Sequence, residues 1–184
     1  GMLNTAVGWG ALKTSTTAEN NSAVGLQAGM SITTGSFNSI LGSYAGDALT
    51  TGAENVAIGT YALTAATTGT KNIAIGRSAG IALTTGTRQS LLGYQAGASL
   101  TIGTDNVAIG TNSLLSCIEG NKNIAIGSYA AQAWVNSSLV AIGHDCCKVA
   151  TTANYTVGVG YQVFEYLTTG DNNTAVGSQA MNRV

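Results

Sequence analysis

Large aliphatic residues return along this chain at a fixed interval, always directly ahead of a glycine. They are Val7, Val24, Leu41, Ile58, Ile75, Leu92, Ile109, Ile126, Ile142, Val159 and Val176. The glycines that follow fall at 8, 25, 42, 59, 76, 93, 110, 127, 143, 160 and 177, with nine steps of 17 residues and one of 16. A fixed period of this kind marks a repeat architecture and outranks local signals. In the unit Asn72-Ile73-Ala74-Ile75-Gly76 the isoleucines alternate with Asn72 and Ala74. Alternation of this kind places the isoleucines on one face of a strand and Asn and Ala on the other. The aliphatic face needs an apolar partner, whereas the alanine face admits only a close neighbour. Gly76 suits a turn, because it takes positive φ at little steric cost. A Thr-Thr pair follows further on in seven units, and Gly comes directly after it in five of them, as at Thr33-Thr34-Gly35. It reads as a second turn.

Seventeen residues are too few for a pair of helices. They suit one coil of a β-solenoid: a strand, a turn, a second short stretch and another turn. The expectation is an all-β fold, a parallel β-roll or β-solenoid of about eleven 17-residue coils. It forms a single repeat domain over 1–184, irregular around 130–164. There the 16-residue step falls, Leu139 and Thr156 stand where most units have asparagine, and Trp134, His144, Cys146 and Cys147 gather. Stacked coils lie about 4.8 Å apart, which makes the whole a rod of roughly 50 Å. The asparagines Asn4, Asn21, Asn38, Asn55, Asn72, Asn106, Asn123 and Asn173 share one position in their units. At that spacing they form a hydrogen-bonded ladder, a structural role rather than a ligand site. The absence of proline agrees, since every coil must donate N–H groups to its neighbour.

Composition narrows the function. Charged residues are 8% and the net charge is −1, so nothing here recruits nucleic acid electrostatically. No apolar run approaches the roughly 18 residues of a membrane span. No leader pattern opens the chain, and Gly1 ahead of Met2 reads as a processing remnant. One histidine, His144, and three cysteines do not make an ordinary metal cluster. His144-Asp145-Cys146-Cys147 tempts toward a thiol nucleophile, but Cys146 holds the slot of an alanine and is expected to point inward. Cys117 lies two units away and is read as a small buried residue. No enzymatic role, cofactor or metal is expected.

Two surface features carry candidate recognition. The positions after the repeat glycines hold Trp9, Tyr44, Tyr61, Tyr94, Tyr129 and Tyr161, interspersed with amides. Such a column could contact a glycan or a protein receptor, or simply cover the ends of the aliphatic face. Five residues ahead of the glycines runs a charge ladder, Glu54, Lys71, Arg88, Asp105 and Lys122, read as a solvated edge. The threonine pairs suggest an ice-matching array. However, neighbouring threonines face opposite ways and the column breaks at Ile102, so a turn role is the simpler account.

The recurring Asn-x-Ala-Ile/Val-Gly-x-x-Ala sentence, from Asn4 to Ala180, resembles the head repeats of trimeric autotransporter adhesins and related phage tail-fibre repeat proteins. The resemblance implies a left-handed β-roll, three chains side by side, and attachment of a bacterial cell surface or a phage virion to a host or matrix surface. The partners implied are two further copies of the chain and a glycan or surface-protein receptor, outside the cell, without membrane insertion by this segment. A homotrimer also follows from the thinness of a 17-residue coil. With apolar residues on both strand faces, one face lines the coil and the other meets neighbouring chains. The alternatives are a structural fibre spacer and, behind it, an ice-binding surface.

Overall fold

A computed structural model describes residues 1–149 and 153–183. Eleven strands of three residues follow one another: β1 Thr5–Val7, β2 Ser22–Val24, β3 Ser39–Leu41, β4 Val56–Ile58, β5 Ile73–Ile75, β6 Ser90–Leu92, β7 Val107–Ile109, β8 Ile124–Ile126, β9 Val140–Ile142, β10 Val157–Val159 and β11 Thr174–Val176. They pair in parallel, strictly in chain order, as one eleven-stranded sheet. Equivalent residues lie side by side, such as Ala57 beside Ala74 and Ile58 beside Ile75. The expected parallel β-solenoid is what the chain forms.

The strand face that turns inward is the alanine face. Ala23, Ala57, Ala74, Ala108, Ala125 and Ala141 are fully buried, together with the residue two before each on the same face, asparagine in all but the last, where it is Leu139. The interior is closed from the other side by Ile32, Leu49, Leu83 and Leu100, and by the second alanine column of Ala28, Ala45, Ala62, Ala79 and Ala96. A short strand can approach its own return stretch closely only if its inward residue is small.

The return stretch is not a second strand. It is a run of turns in which every coil places left-handed residues at fixed positions: two after the glycine (Gln27, Tyr44, Tyr61), four after it (Leu12, Leu63, Leu114) and five before it (Glu54, Lys71, Arg88). Each costs about 1–2 kcal/mol for an ordinary side chain. An inter-coil hydrogen bond holds each one. Tyr44 N–H donates to the Leu26 carbonyl at 2.8 Å, Leu63 N–H to Ala79 at 3.1 Å and Lys71 N–H to Ala53 at 3.1 Å. The left-handed corner turns an N–H along the rod axis, where a carbonyl of the preceding or following coil lies. Such a bond is worth about 1 kcal/mol net, which offsets much of the strain.

The repeat glycine is fixed by contact as well as by φ. At Gly76 (φ +135°) an added Cβ would stand 2.3 Å from the Gly93 carbonyl oxygen of the next coil. Volume is traded elsewhere. Ile40 and Leu91 occupy the alanine slot of their strands, and the facing left-handed position is then glycine. An added Cβ at Gly46 would meet Ile40 Cδ1 at 3.3 Å, and one at Gly80 would meet Leu91 Cδ1 at 2.8 Å.

The asparagine ladder is more than amide stacking. The Asn21, Asn38 and Asn55 side-chain oxygens accept the main-chain N–H of the next rung, from Asn38, Asn55 and Asn72, at 2.9–3.0 Å. Their Nδ2 groups donate across the coil to the corner carbonyls of Gly35, Gly52 and Gly69. Direct amide-to-amide bonds join Asn4, Asn21, Asn38 and Asn55 at 3.0–3.2 Å. Gln89 takes over the role, its Oε1 accepting from Asn106 N–H and its Nε2 donating to the Gly103 carbonyl. Asn106 and Asn123 continue the pattern, donating to the Gly120 and Asn136 carbonyls. At β9 the Leu139 N–H still donates to the Asn123 side-chain oxygen, but Leu139 has no side-chain amide with which to continue. Asn173 instead donates to Gly170 within its own coil, at 2.6 Å.

The Thr-Thr corner forms its own ladder. Thr16, Thr33, Thr50, Thr67, Thr84 and Thr101 direct Oγ1 to the carbonyl one coil on. The irregular coils keep the sheet intact. Ile124 still pairs with Val140 across the 16-residue step. Trp134 is buried where other coils carry Ile or Leu, and buried Phe164 and Cys146 crowd against Gly158, which replaces the strand alanine.

Candidate functional site: the turn edge and the strip beside it

Because the alanine face turns inward, the aliphatic columns of every strand turn outward. Val7, Val24, Leu41, Ile75, Ile109, Ile142 and Val176 are exposed, and Ile58, Leu92, Ile126 and Val159 are half-buried. A second column runs beside them, aliphatic at Val56, Ile73, Val107, Ile124, Val140 and Val157 and polar at Thr5, Ser22, Ser39, Ser90 and Thr174. The result is a two-column apolar strip along one side of the rod. Soluble monomers rarely expose a continuous apolar band of this length.

The turn edge borders the strip on one flank, and it carries all the ring residues singled out from the sequence. The structure sorts them into groups. Tyr44 and Tyr61 lie on successive coils with ring centroids 5.4 Å apart and planes 14° from parallel. Tyr129 meets His144 edge-on at 6.0 Å, and His144 stacks on Tyr161 at 5.8 Å. Trp9 stands with Lys13 Nζ over its ring at 5.9 Å. Tyr94 is exposed on a coil between the two groups. Left-handed backbone at Tyr44, Tyr61 and Tyr129 directs these rings along the edge rather than into the core. Ring pairs of this spacing contribute about 0.5–1.5 kcal/mol beyond their buried area, so the paired rings help to order one another.

Sequence reading missed the supporting cast of the second group. The buried Asp145 carboxylate lies 3.2 Å from His144 Nδ1 and pairs with Lys148 Nζ at 3.0 Å. Pairing with Asp145 raises the Lys148 ammonium above its ordinary range. Lys148 in turn lies over Tyr129, 5.4 Å from the ring centre. A His-Asp pair spaced to close over a turn is visible in the sequence; the lysine three residues on is the signal that would have completed it.

The other flank of the strip carries the charge ladder. Arg88 and Asp105, one coil apart, form a two-pronged pair at 2.6 and 2.9 Å. Each holds the other's charged form, lowering the Asp105 carboxyl and raising the Arg88 guanidinium.

The cysteines lie inside. Burial pushes the Cys117 thiol up to about 11, and the Cys146 hydrogen bond together with burial pushes Cys147 up strongly. These two thiols are protonated at neutral pH and are not poised as nucleophiles. Among the described residues no three His, Cys, Asp or Glu side chains gather as metal ligands, no pocket opens on the surface, and no helix is long and apolar enough to cross a membrane. No model of a known protein family, no curated protein and no solved structure matches the chain.

Proposed function

We propose that this chain is a non-enzymatic rod, the head segment of a fibre or adhesin, which works outside the cell on a bacterial surface or a phage virion. Its turn edge presents ordered rings to a glycan or protein receptor on a host or matrix surface, and its aliphatic strip is covered by further copies of the chain. The observation that carries this reading is the placement of the rings. They stand in two groups along one edge of the rod, beside an apolar band that water alone covers poorly. Two arrangements cover one flat strip. The resemblance implies a homotrimer of left-handed rods, with three strips facing a common axis. Two copies packed strip to strip are the other.

A binding screen over glycans and matrix proteins tests the attachment role, with the intact chain and a Tyr44→Ala/Tyr61→Ala/Tyr94→Ala variant. The expected outcome is a retained ligand for the intact chain and at least a tenfold loss for the variant, since each ring contact contributes about 0.5–1.5 kcal/mol. Absence of any ligand would favour a purely structural spacer.

A further inference from the structure

The strip and its charged flank share a centre of symmetry, and this carries an inference about how copies meet. In the outer aliphatic column Val7 mirrors Val176, Val24 mirrors Val159, Ile58 mirrors Ile126 and Ile75 mirrors Ile109 about Leu92 of β6. The remaining pair, Leu41 and Ile142, differs only in branching. Valines thus stand at both ends and longer side chains in the middle. Either side of its central Arg88, which mirrors itself, the charge ladder is mirrored with its sign reversed. About Arg88, on the coil of β6, Glu54 mirrors Lys122 and Lys71 mirrors Asp105. Volume in one column and charge in another therefore point to the same centre, and neither follows from the 17-residue period.

Symmetry decides which contact these patterns fit. In a parallel bundle, with the axis along the rod, the charged flank of one copy meets the turn edge of the next at the same height. The central turn edge there offers Thr60, Arg77, Tyr94, Thr111 and Ser128, with no acid to face Lys71, Arg88 or Lys122. Arg77 would face Lys71. A twofold axis along the strands does the reverse. It lays two strips face to face with the rods antiparallel and sets the charged flank against itself in reversed order. β4 then lies over β8 of the second copy and β5 over β7, so Glu54 faces Lys122, Lys71 faces Asp105, and each aliphatic residue meets its mirror; at the centre the two Arg88 side chains meet, each paired with Asp105 of its own chain.

We infer that the strip is the interface of an antiparallel homodimer, a second copy of this chain centred on β6. The inference rests on the reading that copies of the chain cover the strip, and it replaces the number and direction implied by the resemblance. Phe37, 61% exposed on the charged flank, gains a neighbour in this arrangement. Its coil lies over that of β9, one rung from the flank residue Tyr155 of the second copy, itself 65% exposed.

Three measurements test it on the full chain. Sedimentation equilibrium is expected to give twice the 18.4 kDa chain mass. Ser39→Cys and Val140→Cys are then treated, separately and mixed, with a bismaleimide of about 10 Å reach, matching the spacing of packed sheets. The native cysteines are buried and do not compete. Antiparallel copies place Ser39 opposite Val140 of the second copy and about 29 Å from its Ser39, six rungs away. Only the mixture is therefore expected to cross-link. Lastly, Lys122→Glu is expected to raise the dimer dissociation constant about tenfold, and adding Glu54→Lys in the same chain to restore it. Circular dichroism confirms that each variant folds. A three-chain mass, cross-linking of Ser39→Cys alone, or failure of the charge rescue overturns the antiparallel dimer but leaves a covered strip. A monomer at about 100 µM, far above the Kd of a specific complex, overturns both readings.

Discussion

Asn72 gives the most direct test of what holds one coil on the next. Its amide nitrogen donates to the Gly86 carbonyl at 2.9 Å, and its oxygen accepts the Gln89 N–H at 3.1 Å. Its own N–H donates to Asn55 Oδ1 at 3.0 Å, a bond that any residue in the slot retains. Asn72→Ala therefore orphans one buried carbonyl and one buried N–H. Each unsatisfied buried group costs about 1–3 kcal/mol, so the total is about 2–6 kcal/mol, a large share of the 5–15 kcal/mol typical of a domain. Asn72→Leu orphans the same two groups while keeping the volume, so it separates hydrogen bonding from cavity formation. Asn72→Gln should cost far less, because Gln89 already satisfies the equivalent groups from this slot. Urea unfolding at fixed protein concentration is the assay, read as a midpoint shift at constant slope. Equal destabilisation by Leu and Gln, or a loss under about 1 kcal/mol for Ala and Leu alike, would refute the account and reduce the ladder to a by-product of the period.

Two other perturbations follow from the interior and the surface. Gly46→Leu forces a side chain against Ile40 and Leu49, while Ile40→Ala opens a cavity. Each alone should cost about 2–4 kcal/mol, and the double variant should cost at least 1 kcal/mol less than their sum, because Ala57 and Leu63 already form that combination in the next coil. A denaturant-based double-mutant cycle that comes out additive sinks this reading. Burial raises the Asp47 carboxyl above its ordinary 3.8, so Asp47 favours folding only in its protonated form and opposes it as the pH rises. Asp47→Asn should accordingly raise the melting midpoint at pH 7 by up to about 2 °C, and the gain should vanish in acid below that value; an equal gain at both pH values would exclude the carboxylate as the cause.

The repeat glycines, the strands and the asparagine column were legible because each is fixed by its own residue type. Gly76 is needed for φ and for contact, and Asn72 supplies a donor and an acceptor at one spacing. The inward direction of the alanine face was not legible. Strand alternation separates two faces without saying which encloses a core, and the answer depends on how near the return stretch comes. The left-handed corners were hidden for another reason. Tyr61, Lys71 and Leu63 have no intrinsic preference for that conformation, and each is held there by a carbonyl of an adjacent coil. The sequence marked that region only as a short stretch between two turns. Gln89 as a substitute rung and Trp134 as interior filler were likewise set by neighbours rather than by the unit itself. The ring column was visible in the sequence, but its division into a Tyr44–Tyr61 pair and a Tyr129–His144–Tyr161 group was not.

The left-handed corners also make length a free variable of this architecture. A corner residue such as Lys71 is stable only because the adjacent coil offers it a carbonyl, and that coil presents the same demand in turn. Every coil is thus a template for its successor, and no contact class depends on how many precede it. Inserting or removing whole units changes reach in increments of about 4.8 Å without a new design problem. The 16-residue step between Gly127 and Gly143 shows that even one missing residue is absorbed at a corner while Ile124 and Val140 stay paired. The molecule is in effect a graduated ruler, on which a surface feature is moved along the axis by editing the number of repeats rather than by redesigning the feature.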